Sequence, residues 1–234
     1  MTGPGAPTPQ AAAPAVQPLL DGGAAPADEL SPRTLLSSHT VYQGRIWNVV
    51  SDTFELADGS TPLTRDYIAH PGAVAVVVMN ELDQILLLNQ YRHPVGMTLW
   101  EIPAGLLDVE GEDFVVGAAR ELAEEADLVA AEWHVLTDFF NSPGSSSEAI
   151  RLYLARGLSE VPLEDRHIRT DEEAEIQFRW VDLPDAVAAV LDGSLHNPSA
   201  VVGILAAAAA QSTGFSSLRP ANAPWPAHPS QRSQ

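Results

Sequence analysis

The chain has 234 residues, enough for one domain with a sizeable core, and 45% of them are apolar, which excludes a wholly disordered or fibrous protein. Twelve Lys and Arg stand against 31 Asp and Glu, a net charge of -19; such a surface repels phosphate backbones and anionic lipid, so nucleic acid and membranes are not expected partners. The chain has no cysteine, no run of ~18 apolar residues and no basic, signal-like N-terminus, so it offers no disulfides, thiolate zinc site or cysteine nucleophile, and the expected location is the cytoplasm.

Residues 1–33 are rich in Pro, Ala and Gly without apolar periodicity and read as a disordered extension. Residues 41–56 are strand material with a turn at Gln43-Gly44, and Ala57-Asp58-Gly59 marks a hairpin turn before a strand over 64–70. Residues 73–79 (AVAVVVM) have the β-branched apolar run of a buried central strand, and 84–91 (QILLLNQY) form a second. A short extended piece over 99–104 leads to a helix over 112–127, whose apolar stripe is Val115, Val116, Ala119, Leu122 and Ala126. Strands follow over 132–140, 149–155 and 177–181, then helices over 183–192 and 199–211, and residues 216–234 read as a second disordered tail. The expectation is one domain over 34–215, of α/β class: an α/β/α sandwich around a mixed β-sheet.

The helix over 112–127 carries Arg120-Glu121-Leu122-Ala123-Glu124-Glu125. At i, i+3 and i+4, Glu121, Glu124 and Glu125 share one face, where like charges destabilise a helix unless a cation sits among them. A solvated acidic face would give the same hexapeptide; a site for a hard divalent cation, which prefers oxygen ligands, is the other reading. The wider context is GLLDVEGEDFVVGAARELAEEADL from Gly105. It resembles the Nudix box, which runs Gly, five residues, Glu, seven residues, then Arg-Glu-U-x-Glu-Glu-x-Gly-U, with U a bulky aliphatic. Gly105, Glu112, Arg120, Glu121, Leu122, Glu124, Glu125 and Leu128 match. Two departures stand out: six residues rather than five separate Gly105 from Glu112, and Asp127 replaces the last Gly. The approach LWEIPAG over 99–105, with Pro143 beyond the box, is similar to the ADP-ribose pyrophosphatase branch.

The resemblance implies hydrolysis of ADP-ribose to AMP and ribose 5-phosphate, with Mg²⁺ (or Mn²⁺) as cofactor; hydrolysis of a nucleotide sugar, or a nucleotide-sensing module without turnover, are the alternatives. It implies metal ligation by Glu121, Glu125 and the Ala104 carbonyl, with Glu124 close by and Glu112 pairing with Arg120 to orient the site. It implies a general base in the acidic segment 170–175, Glu173 first and Glu175 second, the latter as base or extra ligand. Arg92 and Arg65 are candidates for the diphosphate, Trp47 for stacking on adenine, and Glu148 for substrate or metal. The branch exchanges N-terminal strands between subunits, which implies a homodimer with its interface over 41–70.

Overall fold

The computed structural model describes residues 25–169 and 176–232. Residues 25–32 are exposed and carry no helix or strand. Strand β1 (Thr34–Gln43) starts seven residues before the expected 41, and β2 (Asn48–Glu55) returns antiparallel to it. Thr34–Thr40 lacks an alternating apolar pattern; backbone pairing to β2, with a bulge between Leu35 and Ser37, makes it a strand all the same. The Gln43-Gly44 turn closes where the Gly44 N–H donates to the Trp47 carbonyl at 3.1 Å. Strand β3 (Leu63–Ala69) completes this three-stranded sheet.

Next come β4 (Ala73–Val78), β5 (Gln84–Arg92), β6 (Met97–Glu101) and β7 (Ala104–Leu106). The single extended piece expected over 99–104 is thus two strands, and they lie in different sheets: β6 pairs with β5, β7 with β4. Pro103 has no N–H to offer a ladder, so the chain changes sheets there; its carbonyl accepts from the Val76 N–H at 2.8 Å. Helix α1 (Phe114–Ala126) follows, then β8 (Leu128–Phe140), β9 (Ala149–Glu160), β10 (Phe178–Asp182), α2 (Leu183–Leu191), α3 (Pro198–Ser212) and the two-residue β11 (Arg219–Pro220).

The five-stranded sheet has the order β11-β8-β9-β4-β7, mixed because β4 runs parallel to β9 and the other pairs are antiparallel. Alternation along β4 explains the layers. Ala75 and Val77 point to a core shared with Ile204 and Ala207 of α3, while Val74, Val76 and Val78 meet Ala118 and Leu122 of α1. Each fully buried Val contributes about 1.5–3 kcal/mol, so both helices are drawn onto this one strand. The expected α/β/α sandwich around a mixed sheet is the architecture found.

Asp127, which replaces the glycine of the box, is left-handed at φ 53°, and its N–H reaches the Ala123 carbonyl as the helix C-cap. The cost of a non-glycine residue there is met by Arg169, which pairs with the Asp127 carboxylate at 2.5 Å and donates from Nε to the Glu124 carbonyl. That one-residue cap lets β8 begin at Leu128, four residues before the expected 132.

The C-terminal segment corrects the expectation of disorder from residue 216. Strand β11 pairs with β8, and Trp225 (7% exposed) and His228 (1%) are buried. Pro-rich composition hides this order, because its partners, Arg151 and Tyr153 on β9, are far away in sequence. The backbone N–H of Ser230 donates to His228 Nδ1, so the neutral ring carries its proton on Nε2, where it has no acceptor. Burial, with Arg151 and Arg232 nearby, lowers the His228 pKa from 6.5 to about 4. Between those values the unfolded chain takes up a proton that the folded chain refuses. The contribution of the neutral ring is therefore full above pH 6.5 and is lost as pH falls toward 4, by up to about 3 kcal/mol. Denaturant unfolding at pH 5 and pH 7.5 should show this slope in the wild type and a shallower one in His228→Phe; equal slopes would remove His228 as the cause.

Candidate functional site

The site forms where β7 lies against α1. A Cβ on Gly105 would fall 1.9 Å from Glu121 Cδ, so the glycine is the floor on which the Glu121 carboxylate rests. One turn on, Glu125 is 8% exposed and accepts from the Ala104 N–H at 2.9 Å. Helical spacing thus delivers two carboxylates to consecutive backbone positions of one strand.

Arg120 gathers the remaining carboxylates. It donates from Nε and Nη2 to the two oxygens of Glu112, both at 3.2 Å, and from Nη1 to Glu121 at 2.5 Å and Glu124 at 3.4 Å. Glu112 lies outside the helix, which starts at Phe114 after Asp113, so the bidentate pair ties the incoming loop to α1. Burial raises the Glu121 pKa, Arg120 pulls it down, and the Glu124 and Asp108 charges raise it again. One guanidinium shared by three carboxylates leaves this corner short of positive charge.

That donor chemistry fits a hard divalent ion. Glu121, Glu124, Glu125 and the Ala104 carbonyl offer only oxygens, and Glu121 is partly desolvated. Among the described residues no three His, Cys, Asp or Glu side chains already converge as a ligand set: Arg120 holds Glu121 and Glu124, and Glu125 sits on the Ala104 amide. A metal here would compete with Arg120 for Glu121.

A cavity of about 460 Å³ opens directly onto Ala104 and Gly105. It brings together Trp47, Arg92 and Glu148, three candidates separated in sequence by up to a hundred residues. Arg92 is clasped by Glu101, Nε at 2.9 Å and Nη2 at 2.7 Å; Glu101 is only 2% exposed, so this ion pair fixes the guanidinium at the wall. Trp47 stacks on His70, ring centroids 6.1 Å apart. His70 Nδ1 accepts from the Gly72 N–H, which puts its proton on Nε2, 3.6 Å from Glu148 Oε1. Glu148 Oε2 accepts from Asn141 at 2.7 Å. The 141–148 loop is stitched to the end of β3, where the Ile68 N–H donates to the Ser145 carbonyl and the Ser147 N–H to the Ile68 carbonyl.

Arg65 does not join this group. It is exposed on β3, donates to the Thr64 carbonyl at 2.8 Å and is absent from the cavity wall; in the β2–β3 register it stands opposite Asp52. Glu173 and Glu175 lie outside the described residues. Glu101, His70 and Asn141 were not anticipated. Only Glu101 left a trace in sequence, as the lone charge in the apolar run LWEIPAG.

Comparisons with known proteins identify the family. A family model described as NUDIX domain matches residues 69–200, more than half of the chain. An ADP-ribose pyrophosphatase of Mycobacterium tuberculosis is 42% identical over 190 residues, which span 81% of this chain and 89% of that protein. An ADP-ribose pyrophosphatase of Bacillus subtilis is 31% identical over 169 residues, 72% of this chain and 89% of that protein. The crystal structure of an ADP compounds hydrolase superposes with a TM-score of 0.66, covering 81% of this chain and 100% of that one at 21% identity, a likeness of fold. With the box carboxylates packed as described and a family match over the same residues, the chain belongs to the Nudix family.

Proposed function

We propose that the protein hydrolyses the diphosphate of ADP-ribose, giving AMP and ribose 5-phosphate, with Mg²⁺ as cofactor and Mn²⁺ as a substitute. The carrying observation is that the cavity holding Trp47, Arg92 and Glu148 ends on Ala104–Gly105, the strand against which Glu121 and Glu125 pack. The names borne by the M. tuberculosis and B. subtilis relatives support the substrate. In this reading Glu121, Glu125 and the Ala104 carbonyl hold the ions, with Glu124 beside them. Bound ions would polarise the diphosphate and lower the pKa of a water.

The chain's own residues do the rest. Arg92, pre-aimed by Glu101, takes a diphosphate oxygen, and Trp47 offers its face to adenine. Glu148, held by His70 and Asn141, accepts from a substrate hydroxyl. Glu173, or failing it Glu175, takes the proton as a water oxygen attacks one phosphorus, the P–O bond from that phosphorus to the bridging oxygen breaks, and the other phosphomonoester leaves with the bridging oxygen, giving AMP and ribose 5-phosphate. Arg120 remains with Glu112 and keeps the helix and its loop in register.

We read the working form as a cytoplasmic homodimer. Strand β1 is exposed along its whole length, with Leu35, Leu36, Val41 and Tyr42 each at least half bare, an apolar edge that a second copy would cover. Arg65 on the same sheet is then available to a neighbouring subunit's substrate. The substrate assignment is tested with ADP-ribose, nucleotide sugars, diadenosine polyphosphates and NADH under one Mg²⁺ concentration. ADP-ribose should give the highest kcat/KM, about tenfold or more above the rest, since the others share its phosphate linkage but differ at one or both ends, where a polar group of the site left without its partner costs discrimination of that order. Preference for a nucleotide sugar would reassign the substrate; binding without turnover would make the protein a sensor.

A further inference from the structure

We propose that residues 219–231 act as a positioning brace for the reaction site, fixing the start of α1 against the end of β7 and so setting how the Ala104–Gly105 backbone meets the α1 carboxylates. This rests on the reading of those carboxylates as ion ligands.

The segment is built into the protein at three levels. Strand β11 extends the main sheet beyond β8, and Arg219 pairs with Asp138 at 2.8 Å. The Tyr153 hydroxyl then donates to the Ala221 carbonyl at 3.2 Å, and Arg151 Nη1 to the Ala223 carbonyl at 2.7 Å. Arg151 is 2% exposed and bidentate to Asp138, so its guanidinium is immobile. The Phe114 and Trp225 rings lie over it at 5.3 and 5.4 Å. Phe114 is the first residue of α1, and Trp225 belongs to the C-terminal segment.

His228 closes the circuit. Its ring sits 4.8 Å from Phe114 and 5.0 Å from Trp225. Its Nε2 lies against Gly72, where a Cβ would fall 2.6 Å away; only glycine leaves that room, and its φ of 97° suits glycine as well. The Gly72 carbonyl accepts from the Leu107 N–H at 3.1 Å, directly after β7. A continuous chain of contacts therefore runs from Phe114 through His228, Gly72 and Leu107 to the strand bearing Ala104 and Gly105. Beside it is a cavity of about 650 Å³ whose lining includes Glu112, Asp113, Asn222 and Gln231. The entry to α1 thus leans on the C-terminal rings as well as on the core beneath Phe114 and Val115, and losing the rings would let Glu112, Arg120 and Glu121 shift together.

The test is Mn²⁺ binding to the full-length protein, read from the resonance signal of free Mn²⁺, beside the Mg²⁺ concentration giving half-maximal turnover. Trp225→Ala should weaken Mn²⁺ binding at least tenfold, the range seen when supports of metal ligands are removed, and raise the Mg²⁺ requirement in parallel. KM at saturating Mg²⁺ should change less than twofold, and Trp225→Phe, which keeps a ring over Arg151, should restore affinity. A folded Trp225→Ala protein with lower thermal stability but wild-type Mn²⁺ affinity would overturn the brace. Should that variant not fold, His228→Ala, which removes only the ring between Phe114 and Gly72, takes the same measurement with the same two outcomes. Absence of Mn²⁺ binding in the wild type would sink the ion-site reading itself, which separates the two failures.

Discussion

Replacing Glu121 by Gln should lower kcat on ADP-ribose by about 10³-fold, because an ion that polarises a diphosphate supplies several kcal/mol of transition-state stabilisation. The substitution keeps the size of the side chain on Gly105 and removes one formal charge. It also replaces a charged acceptor of Arg120 by a neutral one, while Arg120 retains Glu112 and Glu124. Folding stability should therefore hold or rise slightly, since Glu121 is a partly desolvated carboxylate whose pKa burial raises. Glu125→Gln should lose comparable activity with a larger stability cost. Glu125 is 8% exposed and accepts from the Ala104 N–H; a flipped amide would turn a donor toward that N–H. Steady-state kinetics beside thermal melts check both. Turnover within about threefold of wild type in either variant would remove that carboxylate from the chemistry.

Gly105→Ala should also cut turnover severely, though less than Glu121→Gln, while sparing the fold. The new methyl carbon would sit 1.9 Å from Glu121 Cδ and 2.2–2.3 Å from its two oxygens, so coexistence with the present rotamer is impossible. The obstructed atoms are the end of a flexible side chain, and the backbone is not asked to move. Glu121 must swing off its floor by an ångström or more, and displacements of that size cost about 10²-fold in rate. The melting temperature should move by only a few degrees, consistent with about 1 kcal/mol in a domain of this size. A stability loss matching the activity loss would mean that the glycine serves the fold; unchanged activity would mean that Glu121 is not placed by it.

Much of the site was legible because its spacing is local. A helix repeat puts Glu121, Glu124 and Glu125 on one face whatever the rest of the chain does, and AVAVVVM is a buried strand by composition alone. The meeting of Glu121 with Gly105 follows once β7 and α1 are adjacent, an adjacency that the resemblance to the Nudix box implied. The cavity was legible only in pieces. Arg92 ends β5, and Trp47 and Glu148 stand immediately before β2 and β9, but their convergence depends on the 141–148 loop pairing with Ile68, an isolated bridge between distant segments. His70 left no signal, since a lone His after a strand is ordinary. Arg65 lies inside β3, opposite Asp52, and does not line the cavity.

The C-terminal segment was misread for a physical reason. Trp225 and His228 stand among Pro and Ala without helical or strand periodicity, and periodicity is what a sequence displays. Their order is imposed by a buried cation on β9, Arg151, whose bonds to Asp138 and the Ala223 carbonyl have no local signature. The strand over 34–40 was missed similarly: backbone pairing, not side-chain burial, defines it.

The most direct measurement of the central claim is calorimetric titration of Mg²⁺ into metal-stripped protein, wild type against Glu121→Gln, in the presence of a non-hydrolysable ADP-ribose analogue. Saturable binding is expected in the wild type, with a loss of affinity of tenfold or more in the variant. Equal Mg²⁺ affinity in the two proteins, or none in either, would contradict the claim.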